Sequence, residues 1–429
     1  MKAVGVASDM VRELNRAAVL DLVRSQRVFS RVSLSRDTGL SKATISEVVD
    51  ELIRRGFVRT AGLGASAGGR RPVLLAFDPG SRFAVGLEVD GLGCVAALTN
   101  FDAVPLRTLR APVRSVDAAD TIATAGDLVA ELTAELPADS LLGIGVGSVG
   151  IVDAAAGAVE MVVSLGWRDV PIGRRLAERF GVPVAVLTRA KAAAVGEGWS
   201  GAARGVDDFV LVHVGAGLTA GIVLNGRLYF GASGSEGAFG HVTVVENGPL
   251  CRCGNRGCLE AVAAGPAIVA RVLEELRAGT PSPLLEPVRA GQALLSLDLI
   301  ARAAAEADPV VAPVLDEAAA YLGGAAANLV STLNPARLVL GGPVVEALPG
   351  LVGAVGAIVR RRATAAAGAA VEVVPSRLGA DAVPIGAAAW LLEQAAVVSA
   401  RGLRPLVTPR SFVVRPPAPR APVLASSRE

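Results

Sequence analysis

The chain has 429 residues, enough for two or three domains, and is 52 % hydrophobic with only 3 % aromatic residues, so a large core must be built from small aliphatic side chains. No apolar run is long enough to span a bilayer and the first fifteen residues hold no apolar signal core, so the sequence reads as cytoplasmic, with no membrane partner. The net charge of +2 is uneven: residues 1–79 carry 13 Lys and Arg against 8 Asp and Glu, residues 397–429 carry 6 Arg against 1 Glu, and residues 80–396 are left with about −8. A basic head on an acidic body suits a polyanion touched by the head alone.

In chain order, Leu14, Ala17, Ala18, Leu20, Leu22 and Val23 form an apolar helical stripe over residues 12–26. A short helix is predicted over Ser33–Thr38, then the turn Gly39-Leu40 and an N-cap at Ser41. A third helix, Lys42 to Arg55, turns Ile45, Val48, Val49, Leu52 and Ile53 inward and offers Lys42, Thr44, Ser46 and Glu47 outward. Phe57–Thr60 and Pro72–Phe77 read as strands around a glycine-rich loop closed by Gly69-Arg70-Arg71. This order is that of a winged helix-turn-helix. The N-terminal end of such a third helix reads base edges in the major groove, here through Ser41, Lys42, Thr44 and Ser46. Arg70 and Arg71 on the wing can reach phosphates or a narrow minor groove.

From Ser81 the pattern changes to alternating strands and helices. A hairpin is predicted from Phe83–Val89 and Val95–Leu98, and buried strands at Leu142–Val146 and Val184–Leu187. A second strand pair, Phe209–Val214 and Gly221–Leu224, brackets a glycine-rich turn. Helices are predicted over Ala118–Glu135, Pro266–Arg277 and Val314–Val330, and strand Leu338–Leu340 runs into Gly341-Gly342. The division expected is a DNA-binding head at 1–79, a two-lobed α/β body at 80–396 and a Pro/Arg-rich tail at 397–429 without periodicity, read as disordered. Of four cysteines, Cys251, Cys253 and Cys258 fall within eight residues, a spacing for metal rather than for a disulfide framework.

Gly240-His241 followed by Cys251-Arg252-Cys253-Gly254-Asn255-Arg256-Gly257-Cys258-Leu259-Glu260 is the most specific signature in the chain. With Gly215–Gly221, Asn225-Gly226, Leu165-Gly166-Trp167, Asn334-Pro335 and Gly341-Gly342, it resembles the ROK family (repressors, open reading frames and sugar kinases) over about residues 12–395. Within that family the head resembles the transcriptional-regulator branch. The resemblance implies an actin-like, hexokinase-like body of two lobes around a cleft, assembled as a homodimer or homotetramer.

His241, Cys251, Cys253 and Cys258 offer one imidazole and three thiolates, a closed donor set for a structural Zn2+. The resemblance points to the same four residues, and it implies that His241 and Glu260 also touch sugar hydroxyls. The glutamate that the family carries two positions before Gly-His is Ala238 here, with Glu236 displaced. His213, inside an apolar strand, reads as a core residue.

Two positions depart from a kinase. The family's phosphate-cradling turn corresponds to Gly86–Gly93, where Asp90 replaces a glycine and would repel a triphosphate. Its catalytic aspartate corresponds to Arg189, which stays protonated and cannot act as a general base. The expectation is therefore not an enzyme but a repressor of carbohydrate genes, binding an inverted-repeat operator on double-stranded DNA and answering to a sugar or sugar phosphate. An active sugar kinase with an accessory head, and a regulator controlled by a protein partner, are the alternatives. Arg189, with Lys191 close by, would suit an anionic sugar phosphate; alternatively Arg189 pairs with a cleft carboxylate such as Glu260, Glu236 or Asp90.

Overall fold

A computed structural model describes residues 15–397 other than 17, 21, 25, 65–70, 92, 233, 290 and 292–294, with side chains described as far as residue 394. Arg70 and the tail from residue 398 lie outside the described residues.

Helical backbone recurs among the described residues between Asn15 and Gln26. The next helix, Arg31–Thr38, begins two residues before the predicted start because Ser30 caps it. Ser30 Oγ accepts from the Ser33 N–H, and Ser33 Oγ in turn accepts from the Ser30 N–H, a reciprocal capping box. Gly39 closes the helix at φ 71°, a left-handed conformation that costs glycine little. Ser41 caps Lys42–Arg54, as its sequence position requires, by accepting from the Thr44 N–H at 3.1 Å. Strands Val58–Leu63 and Val73–Phe77 pair antiparallel as the wing, and a short strand Val28–Phe29, not anticipated from sequence, covers the other edge of Val73–Phe77.

The body holds two five-stranded sheets. In the first the order is Val184–Thr188, Leu141–Ser148, Phe83–Val89, Gly93–Asn100, Pro105–Pro112. The first three run parallel and the last three antiparallel. The second has the order Arg227–Leu228, Leu218–Leu224, Phe209–Val214, Arg337–Gly341, Glu372–Pro375, with parallel pairing around Arg337–Gly341. A small sheet of Ile151–Asp153, Ala158–Val162 and Trp167–Val170 stands apart from both. The predicted hairpin, the two buried strands and the second strand pair are all present; Phe83–Val89 and Phe209–Val214 keep their predicted bounds and the other four strands extend beyond theirs.

Two helices join the lobes. Ala382–Val397 follows the second sheet but packs on the first, where a Cβ at Gly86 would overlap the Pro384 carbonyl oxygen and one at Gly145 would overlap that of Ala387. Arg189–Trp199 lies against it so closely that a Cβ at Gly386 would overlap the Ala192 carbonyl oxygen. Ala190 to Trp199 are all buried. One apolar cluster runs from head to body: Leu20, Val23, Ile45, Phe57 and Phe77 of the head pack in the same core as Phe101, Trp199 and Trp390.

Candidate cleft, metal loop and nucleic-acid interface

Arg189 opens its helix, with Thr188 at the cap position, at the end of the parallel strand Val184–Thr188. That placement aims the guanidinium across Leu141–Ser148 to the end of Phe83–Val89, where Glu88 and Asp90 emerge. Arg189 Nε lies 2.9 Å from Glu88 Oε1 and Nη2 lies 3.1 Å from Asp90 Oδ2. The Nε contact is one of charge rather than of aligned hydrogen bonding, since the buried Nε–H has no acceptor in line. Asp90 also accepts from the Gly93 N–H at 2.9 Å, which holds the turn between the two strands.

These residues line a cavity of about 170 Å³ together with His213, Gly341, Gly342, Pro343, Glu346, Ser376 and Gly379. Burial pushes the Glu88 carboxyl above its ordinary range, against the pull of Arg189. Burial likewise raises Glu346, with the Asp381 charge adding to the effect. Burial, and then Arg189, push His213 down to about 3, so its imidazole is neutral at pH 7. His213 is buried in its strand as the sequence implies, yet it also forms part of the cavity wall, which its apolar neighbours in sequence did not signal.

His241 and Glu260 do not line this cavity. They flank the Gly215–Leu218 turn instead: Glu260 Oε2 accepts from the Leu218 N–H at 3.0 Å, and Gly240 packs so tightly on the Leu218 carbonyl that a Cβ there would overlap it. Of the partners weighed for Arg189, Asp90 is the one found, and Glu88, not among them, joins it. Glu236 pairs with Lys191 at 2.7 Å, while Lys191 Nζ donates to the Gly234 carbonyl at 2.8 Å and sits 4.9 Å from the Phe230 ring centroid. Lys191 and Glu236 are both deeply buried, and burial raises the Glu236 carboxyl while Lys191 opposes that rise.

In the metal loop the donor atoms of His241, Cys251, Cys253 and Cys258 all lie within 4.8 Å of one another. Cys253 Sγ to Cys258 Sγ and Cys251 Sγ to His241 Nδ1 are both 3.7 Å. Tetrahedral Zn2+ with sulfur ligands at about 2.3 Å requires sulfurs about 3.8 Å apart, so the donor set and its spacing fit that ion. Gly257, at φ 69°, sits where a Cβ would overlap the Val245 carbonyl oxygen, and Gly254 adopts φ 91°; these two turns fold the knuckle. The Asn255 N–H holds the Cys253 thiol below its ordinary value.

On the head, Ser41 and Lys42 are exposed and Thr44 and Ser46 half-buried, all within the first turn and a half of one helix. Thr44 Oγ1 lies 2.9 Å from Ser41 Oγ, so Thr44 also helps to order the helix start. Arg71 is exposed at the base of the wing. Arg31 anchors the helix from behind, donating to the Ser46 carbonyl at 3.1 Å and to Asp50 at 2.5 Å.

Among the described residues no helix is long and apolar enough to cross a membrane. The sequence profile of the ROK family matches residues 85–394. The chain is 32 % identical over 337 residues to the xylose repressor of Caldicellulosiruptor bescii, covering 77 % of this chain and 84 % of that protein. A crystal structure of a ROK family transcriptional regulator, homologous to the E. coli MLC protein, superposes with a TM-score of 0.79 at 27 % identity over 91 % of this chain and 97 % of the other. The ROK family glucokinase of Streptomyces griseus, solved with glucose and AMPPNP, superposes with a TM-score of 0.62 at 28 % identity over 71 % of this chain and 98 % of its own. The regulator thus matches head and body, whereas the kinase matches over a smaller share of the chain. The fold is that of a winged helix-turn-helix joined to a two-lobed, hexokinase-like α/β body, and the chain belongs to the ROK family.

Proposed function

We propose that this protein is a sugar-responsive DNA-binding repressor in which residues 1–79 bind the operator and residues 80–396 bind the effector and assemble the oligomer. The observation that carries the reading is the Arg189–Glu88–Asp90 cluster. A kinase needs a base that accepts the sugar proton and a turn open to phosphate. Here a permanent cation occupies the first position and two carboxylates border the second, with Glu346 across the cavity. A polyphosphate entering that cavity would meet more negative charge than positive. The head supplies the other half of the reading, since an exposed recognition-helix start has no role in phosphoryl transfer.

The effector is a sugar bound near His241 and Glu260, beside the turn at Leu218. Arg189 and Lys191 already face carboxylates, which favours a neutral sugar over a sugar phosphate. His241, Cys251, Cys253 and Cys258 hold a structural Zn2+ that fixes the loop carrying His241. The operator is an inverted repeat read by a homodimer or a homotetramer, with Ser41, Lys42, Thr44 and Ser46 at base edges and Arg70 and Arg71 at the backbone or minor groove.

Footprinting on the DNA upstream of the protein's own coding region tests this. Salt-sensitive, sequence-selective protection released by D-xylose or D-glucose is expected; protection absent at low salt would remove the reading. A coupled assay with ATP and either sugar is expected to stay at background, and turnover above it would establish the kinase alternative.

A further inference from the structure

The helix Arg189–Trp199 touches three parts of the molecule through three side chains. At its start Arg189 holds the strand-end carboxylates Glu88 and Asp90 of the first lobe. Two turns on, Glu197 is fully buried and accepts from Ser376 Oγ at 2.5 Å, from the Leu378 N–H at 2.9 Å and from the Arg377 N–H at 3.2 Å. That loop belongs to the second lobe, and its residues Ser376 and Gly379 line the cavity. At its end Trp199 donates from Nε1 to the Asp102 carbonyl at 2.7 Å.

Trp199 and Asp102 together grip the head. The Arg24 guanidinium lies 4.4 Å from the Trp199 ring and 5.6 Å from the Phe101 ring, with Nε 3.9 Å from Asp102 Oδ1. Arg24 is 7 % exposed, so its charge depends on these neighbours. Arg27 pairs with the other Asp102 oxygen. Phe101, at the tip of a body hairpin, is fully buried and stacks on Phe57 of the head at 4.8 Å. The head is therefore seated on the body through a clamp whose far side is the end of the cleft helix.

We propose that the helix Arg189–Trp199 is the lever by which the cleft sets the position of the DNA-binding head, with Arg24 between Trp199 and Asp102 as its grip. The proposal rests on the regulator reading above and names its regulation. The helix is buried along its length and packed backbone to backbone on Ala382–Val397, so a shift at either lobe moves it as a rigid piece rather than being absorbed by bending. A ligand that changes the distance between Glu88 and the Ser376–Leu378 loop must then move Trp199, and with it Arg24.

Hydrogen–deuterium exchange on the full chain, without ligand or DNA, tests the lever. Arg189→Met is expected to speed exchange about fivefold or more in peptides covering residues 45–54 and 100–104, well away from the substitution. Arg179→Met, which breaks the exposed pair with Asp127 in the same lobe, is expected to leave those peptides unchanged. In an Arg24→Gln background Arg189→Met should add less than about twofold, because the grip is already open. Should Arg189→Met not fold, Glu197→Gln interrupts the same helix at its second contact and is read in the same peptides. Change confined to the cavity wall, or additive effects of the Arg24 and Arg189 substitutions, would overturn the lever. Operator binding by the wild-type chain is scored separately, so a failure to bind DNA removes the regulator reading while the exchange result still decides the lever.

Discussion

Arg189 and Glu88 meet at 2.9 Å, one at the first turn of a helix and the other at the end of a parallel strand, and both are largely buried. The pair places a fixed positive charge in a cavity that also holds Asp90 and Glu346. Its energetic balance depends on pH, because burial pushes Glu88 toward the protonated form while Arg189 pulls it back.

Replacing Arg189 by methionine is expected to destabilise the fold by about 3 kcal/mol at pH 7.5 and by less at pH 5. The sign follows from the upward shift of Glu88. Stability from such a group is fully present below its unfolded value and is lost as pH rises through the folded one. Without Arg189 the folded value rises further, so the loss deepens at neutral pH. Urea unfolding of both proteins at the two pH values checks this; equal destabilisation at both would show that Glu88 is not the group involved.

His213 gives the opposite slope. Its folded value is lowered to about 3, so both states are neutral above its ordinary value of 6.5, and only the unfolded state takes up a proton below it. Stability is full above pH 6.5 and falls as pH drops toward 3, by about 2 kcal/mol at pH 5. In His213→Gln that part of the acid sensitivity should vanish. An unchanged difference between urea midpoints at pH 7 and pH 5 would refute the assignment.

The metal loop predicts one zinc per chain in native mass spectrometry. Cys258→Ser, which removes a buried ligand, is expected to abolish it and to release the strand-like bridge between Thr243 and Cys258. Prolonged chelation should lower thermal stability without unfolding the head, whose core is remote from the knuckle. Retention of full zinc occupancy by Cys258→Ser would show that the four residues are not its ligands.

On the head, Arg71→Ala should weaken operator binding and flatten its salt dependence by about one ion. Ser41→Ala removes the cap and is expected to cost about 1 kcal/mol of stability as well as affinity. Titration of a labelled upstream fragment at two salt concentrations separates the two effects. Equal salt slopes for wild type and Arg71→Ala would place Arg71 away from the phosphates.

Gly386→Ala tests the contact between the two lobe-joining helices. A Cβ at this position would overlap the Ala192 carbonyl oxygen, and neither backbone can retreat from its sheet. A loss of at least about 3 kcal/mol, or failure to fold, is expected. Near-wild-type urea stability would mean that the helices are more loosely packed than the structure shows.

The head was legible because its signals are local. Ser41, Gly39 and the 3.6-residue spacing of Ile45, Val48, Val49 and Leu52 act within a few residues of themselves, and the helix appears where they put it. The cluster that could hold a metal was legible for the same reason, three of its four residues lying in eight consecutive positions. The strand Val28–Phe29 was not, because two residues carry no periodicity and their partners, Ala76 and Leu75, lie 48 and 46 positions away. The partners of Arg189 were half legible: Asp90 stood among the candidates, while Glu88 alternates with apolar neighbours in a strand and is turned toward the cavity only by the register of the sheet. The seating of Phe101 in the head had no sequence signal, since a lone aromatic residue in a hairpin turn does not show what it will meet.

The sequence by itself determined the winged head, the alternating strands and helices of the body, and the short spacing that brings Cys251, Cys253 and Cys258 together. Each depends on residue type and short-range spacing. Only the tertiary structure decided where the charges went: Arg189 to Glu88 and Asp90, Lys191 to Glu236, Glu197 to the Ser376–Leu378 loop, Arg24 to Trp199 and Asp102. Those pairings join residues tens to hundreds of positions apart. A buried charge takes whichever partner the packing brings within reach, and packing is a property of the whole chain.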